Sequence, residues 1–150
     1  MKKYNTIRGF ITNGQDEPDD IIEKYSSAIR IGGHELDLNK ISIELNLKPS
    51  RTHKRGDKKG ETIFKDDMWL YESTNQIAES EALEKHLEHL HEVLMPKIEL
   101  LKEYKINGSI KLYCSYMTNR DTTGIEVENQ NLKLYNELKI PFGVSFDYIG

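Results

Sequence analysis

"NGSIKLYCSYM", residues 107–117, is the stretch on which the fold reading turns. Its Asn-Gly pair marks a turn, and Ile110, Leu112, Cys114 and Tyr116 then alternate with Lys111, Tyr113, Ser115 and Met117. A period of two places each set on its own side of a β-strand, and the first set is the one assigned to a core. The chain therefore contains a sheet with at least one covered face.

Working outward, "SSAIRIGG" (26–33) sets Ile29 and Ile31 against Ala28 and Arg30 and stops at a glycine pair, which predicts a second strand. "DDMWLYEST" (66–74) sets Met68 and Leu70 against Trp69 and Tyr71, so both of its faces are expected to be covered. "YNTIRGFIT" (4–12), ending in the acidic turn "NGQDEPDD", the short "TGIEVEN" (123–129) and the closing "PFGVSFDYI" (141–149) read as three more strands. In the last of these Val144, Phe146 and Tyr148 share a side.

Helices are expected between them. Asp37 is placed to cap a short helix carrying Leu38, Ile41 and Leu45, with Pro49 ending it. A long helix runs from a Ser80 cap to Tyr104, with Leu83, Leu87, Leu90, Leu94, Ile98 and Leu101 within roughly 80° of arc. Pro96 falls inside that stripe and should kink or break it. "NQNLKLYNELK" (129–139) gives a short helix bearing Leu132, Tyr135 and Leu138.

Strand pairs interleaved with helices predict an α+β fold: a largely antiparallel sheet with helices mainly on one face, an order compatible with ferredoxin-like halves. No linker divides the chain, so residues 1–150 are expected to form a single domain.

Composition agrees with a folded chain of that size: 150 residues, 37% hydrophobic and 31% charged. Cys114 is the sole cysteine, and the start "MKKYNTIRGFITNG" lacks the apolar run of a signal peptide. The expected compartment is the reducing cytoplasm, with no membrane partner. A net charge of -4 disfavours a protein whose surface tracks nucleic acid. Charge is nevertheless divided. Residues 48–59 hold six Lys or Arg against Asp57 alone, whereas 79–103 hold seven Glu against three Lys.

"LDLNKISIELNLKPSRTHKRGD" (36–57), Trp69 within "MWLYES", "LMPKIELL" (94–101) and the closing "PFGVSFDYI" resemble the bacterial domain-of-unknown-function family 4279. The resemblance covers about residues 27–149 and leaves 1–26 outside. It implies a small bacterial or mobile-element protein and assigns no catalytic residue.

The basic stretch is the first candidate site. Arg51, His53, Lys54, Arg55, Lys58 and Lys59 would cradle a phosphate or carboxylate, with Gly56 and Gly60 letting the backbone come close. No Walker spacing accompanies them. The plainer reading is a solvated connector that keeps a sheet edge soluble. Trp69 and Tyr71 follow close behind and would stack a base or ligand if they point toward the cations, although a lone Trp in a small domain is ordinarily core.

His86, His89 and Glu92 are spaced three apart on the long helix, with His91 and Glu88 as a second pair. Neither matches a zinc pattern, and the plainer reading is a solvated, mildly pH-sensitive helix face. No metal or cofactor is expected. Cys114, on a core face, reads as inert packing, and the acidic run Asp16, Glu17, Asp19 and Asp20 lacks the order of a calcium loop.

With no catalytic set, the expected function is a non-catalytic protein-binding module of the immunity or anti-defence kind. The alternative is a nucleotide or small anionic ligand bound through the basic loop.

Overall fold

The computed structural model describes residues 20–150. The strand expected over 4–12 and most of the acidic run after it lie outside the described residues. Within them the elements are β1 (Glu23–Gly33), α1 (Leu38–Leu45), β2 (Arg51–His53), β3 (Lys58–Lys59), β4 (Thr62–Ile63), β5 (Asp67–Glu72), α2 (Leu83–Leu94), α3 (Ile98–Asn107), β6 (Ser109–Thr118), α4 (Lys133–Leu138) and β7 (Ser145–Tyr148).

Five strands form one sheet in the order β2-β5-β1-β6-β7, and β3 pairs only with β4. β1 runs antiparallel to both β5 and β6, and β2 antiparallel to β5. It follows that β1 and β2 are parallel with β5 between them, and β5 and β6 are parallel with β1 between them. Each βαβ crossover is split by a strand of the other, which is the arrangement of a ferredoxin-like split βαβ unit. α4 adds a further crossover that lays β7 parallel beside β6. The fold is α+β.

The period-two reading of the central strands matches their burial. Ile29 and Ile31 of β1, Trp69 and Tyr71 of β5 and Ile110 of β6 pack in one cluster with Ile41 and Leu45 of α1, Leu90 and Leu94 of α2, Leu101 of α3, and Leu134 and Leu138 of α4. All four helices thus cover the same face. Each large aliphatic buried there contributes about 1.5–3 kcal/mol. Toward one end of that face Tyr25, Cys114 and Tyr116 join Leu83, Leu87 and Tyr135. On the opposite face Ala28, Met68 and Leu70 form a small cluster that includes no helical residue.

Five local expectations are corrected. α1 ends because Asn46 takes the left-handed conformation (φ 52°) and its amide caps Ile43, three residues before Pro49. The long helix begins at Leu83 after Ala82, so Ser80 is not its cap. Residues 123–129 form no strand, yet Ile125 and Val127 pack against the Tyr25 cluster, which explains their alternation. The basic stretch is not a featureless loop: it supplies edge strand β2 and half of the β3–β4 hairpin. His86 is not on a solvated face, being fully buried. Pro96 does break the helical run, in a 3-10 turn over Met95–Lys97 that redirects the chain into α3.

Candidate functional site: a basic arm and the cleft beside it

Asp67, at the start of β5, organises the basic stretch. Its carboxylate accepts hydrogen bonds from the backbone amides of Leu36 (2.8 Å) and Arg55 (2.7 Å) and from Lys54 Nζ (3.3 Å). Lys54 also donates to the Leu36 carbonyl. The side chain of Asp67 is only 5% exposed. These donors, the Arg55 amide first among them, hold its carboxyl below the ordinary aspartate value against the opposing effect of burial.

From that corner the chain projects as an ordered arm. Asp57 accepts from the Lys54 amide (2.8 Å), Gly56 donates to Phe64 (2.9 Å), and Phe64 donates back to Asp57 (3.0 Å). Gly60 has φ 61°, the sign required at the first central position of the two-residue turn between Lys59 and Thr62. The His53 ring stacks on Phe64 with centroids 3.7 Å apart.

The sequence-predicted cations therefore divide into two groups. Lys54 is engaged with Asp67 and Leu36, and His53 with Phe64. Arg51, Arg55, Lys58 and Lys59 are exposed and form no ion pair among the described residues. Register extends this surface. Arg51 lies opposite Leu70, Leu70 opposite Arg30, and Arg30 opposite Lys111, a row across four strands on the face that carries no helix. Arg30 and Lys111 were not singled out in the sequence. Like charges directly opposite one another disfavour strand pairing, and no carboxylate among the described residues pairs with either.

Trp69 and Tyr71 do not join this surface. They belong to the helix-covered face, whereas Arg51 shares the face of Leu70. Trp69 is fully buried, and its indole Nε1–H donates to Ser42 Oγ at 2.9 Å. A stacking platform beside the arginines is not assembled.

Tyr71 points instead to α2, where its hydroxyl lies 2.7 Å from His89 Nε2. Both residues line a cleft of about 640 Å³ with Asn46, Lys48, Pro49 and Gln76. Burial pushes the Tyr71 phenol up and His89 down, so both are neutral at neutral pH. Sequence spacing separated these two residues by an unknown path; only the topology brings them together.

His86, one helical turn from His89, makes a separate buried contact. Ser73 Oγ accepts from the Ser27 amide (2.9 Å) and lies 2.7 Å from His86 Nδ1. Burial lowers the His86 value. His86 and His89 are thus engaged with different partners. No group of three His, Cys, Asp or Glu side chains with a metal-binding arrangement occurs among the described residues. Cys114 lies 3.1 Å from the Tyr135 hydroxyl, and burial raises its thiol above the ordinary range, which keeps it protonated.

None of the described helices is long and apolar enough to cross a membrane. No curated protein and no solved structure matches the chain. The family model for Domain of unknown function (DUF4279) matches residues 23–148. That match opens with the first residue of β1, four residues before the span read from the sequence, and closes with the last residue of β7, enclosing the whole sheet. The chain belongs to the domain-of-unknown-function family 4279.

Proposed function

We propose that this protein is a non-catalytic binding module that takes an acidic protein partner on the basic arm and the adjoining row of cations. The observation that carries this reading is the contrast inside the arm. Its backbone is fixed through Asp67, while Arg51, Arg55, Lys58 and Lys59 stay exposed without carboxylate partners among the described residues. A fixed backbone lowers the ordering cost of association, and unpaired cations accelerate capture of an oppositely charged surface.

The edge position of β2 adds a second contact mode. An extended acidic segment laid along that edge would combine main-chain hydrogen bonds with charge pairs to Arg51. Blocking a partner by occupying its acidic surface is how an immunity or anti-defence factor of cytoplasmic bacterial or mobile-element origin would act.

A nucleotide or small anion held by the arm is the weaker reading. Among the described residues, the clefts lined by Tyr71 and His89 and by Leu36 and Thr52 include none of Arg51, Arg55, Lys58 and Lys59, and Trp69 is unavailable for stacking. Nucleic acid is disfavoured by the net charge of -4 and the acidic helices.

The test is capture from nuclease-treated host extract at low salt, with the native chain and an Arg51→Glu, Arg55→Glu, Lys58→Glu, Lys59→Glu variant in parallel. A stoichiometric acidic protein retained by the native chain and absent from the variant is expected. Its retention by both, or the lack of any stoichiometric protein, would overturn the reading.

A further inference from the structure

The Tyr71–His89 cleft offers a binding chemistry separate from that of the arm. It lies between the 46–50 turn, the end of β5 and α2, and its volume of about 640 Å³ falls in the range of small-molecule sites. Leu47, Pro49 and Val93 provide apolar wall, and Asn46, Ser50, Asn75 and Gln76 provide amide and hydroxyl groups.

Two of those polar groups are used in building the wall. Ser50 Oγ accepts from the Glu72 amide (2.8 Å) and donates to Asn75 Oδ1 (3.1 Å), and Asn75 Nδ2 donates to the Lys48 carbonyl (3.3 Å). The 48–50 segment is thereby held against the 3-10 turn Ser73–Asn75. The cleft is a built feature with a braced rim.

The remaining groups are donors and adaptable amides. The Tyr71 hydroxyl lies 2.7 Å from His89 Nε2, and with the phenol as donor in that contact the imidazole proton sits on Nδ1. Nδ1 has no hydrogen-bond partner among the described residues. Lys48 is exposed, forms no ion pair among them, and is the sole formal charge in a lining that contains no carboxylate. A cationic rim and an imidazole donor in an otherwise acidic protein match a single negative charge.

We propose that this cleft binds a small organic carboxylate, its charge met by Lys48 and the His89 donor and its body lying along Pro49, Val93 and the Tyr71 ring, with Gln76 and Asn46 reading its polar atoms. This site does not depend on the arm, and the two can fail separately.

The experiment is an NMR titration of isotope-labelled protein with benzoate, nicotinate and 4-hydroxybenzoate up to about 10 mM, above a millimolar Kd. The His89 ring nitrogens and the Gln76 side-chain amide are the reporters, and uncharged benzamide is the control. At least one carboxylate is expected to move both reporters saturably, with binding weakened about tenfold in Lys48→Met and about tenfold for benzamide. The exposed Lys48 makes that variant safe for folding, and the arm variant should titrate like the native chain. Absence of any saturable shift, equal affinity for benzamide, or native affinity in Lys48→Met would overturn the proposal.

Discussion

The Asp67 corner and the arm that springs from it lie within a few residues of each other and are built on opposite terms. At the corner a buried carboxylate is met by two backbone amides and a lysine. Along the arm, four cations have no counter-charge among the described residues. Buried polar groups must find partners or the fold loses stability, whereas exposed charges change it little. The corner therefore reports on folding and the arm on what the folded protein meets.

The largest way to sharpen that contrast is Asp67→Ala. It strips the Leu36 and Arg55 amides of their acceptor and should cost about 3 kcal/mol in urea unfolding. The exposed half of the Lys54 pair adds little to that figure. Because the folded carboxyl titrates below its unfolded value of about 3.8, its stabilisation is complete above that pH. It is lost as pH falls through the lower folded value, and the native and Asp67→Asn proteins should converge only there. Equal stability at pH 7 would break the comparison.

A second substitution probes the covered face of the same strand. Trp69→Phe removes the indole donor to Ser42 and part of a fully buried ring, and should cost about 2 kcal/mol. Thermal or urea melts measure this directly.

The histidines of α2 give the next effect. Burial holds His86 and His89 below their ordinary value of 6.5, so the unfolded chain binds more protons just beneath that pH. Stability should fall as pH drops below about 6.5, by up to about 1.4 kcal/mol per pH unit for each proton taken up. A His86→Leu, His89→Leu protein should show a flatter profile between pH 5 and 6.5.

The smallest effect on stability is expected on the arm. Each of Arg51→Glu, Arg55→Glu, Lys58→Glu and Lys59→Glu should change unfolding by less than about 0.5 kcal/mol, while together they abolish partner retention. A large destabilisation would mean that these cations serve the fold.

Much of the fold is legible in the chain. β6, β5 and the second half of β1 show period-two alternation because one side of each meets the helices, and that same alternation correctly separates Met68 and Leu70 from Trp69 and Tyr71. The short strands are silent for a physical reason. Arg51, Thr52 and His53 are all polar, and they become a strand only because β5 offers a free edge. Residues 123–129 mislead in the opposite way, since Ile125 and Val127 alternate while packing as extended chain without a ladder.

The candidate sites divide along the same line. A dense run of cations is visible in any sequence, but the separation of engaged Lys54 from exposed Arg51 needs Asp67, thirteen residues beyond Lys54. The meeting of Tyr71 with His89 and the alignment of Arg51, Arg30 and Lys111 depend on strand order, which local patterns do not carry.

The central claim is that the basic stretch is an ordered arm presenting exposed cations, and amide hydrogen exchange by NMR over residues 51–64 tests it most directly. The amides of Lys54, Arg55, Gly56 and Phe64 each have a hydrogen-bond acceptor. Slowed exchange at all four in the native chain, with the Arg55 protection lost in Asp67→Ala, is the predicted result. Exchange at unstructured rates throughout 54–64 would show a solvated connector and contradict the account.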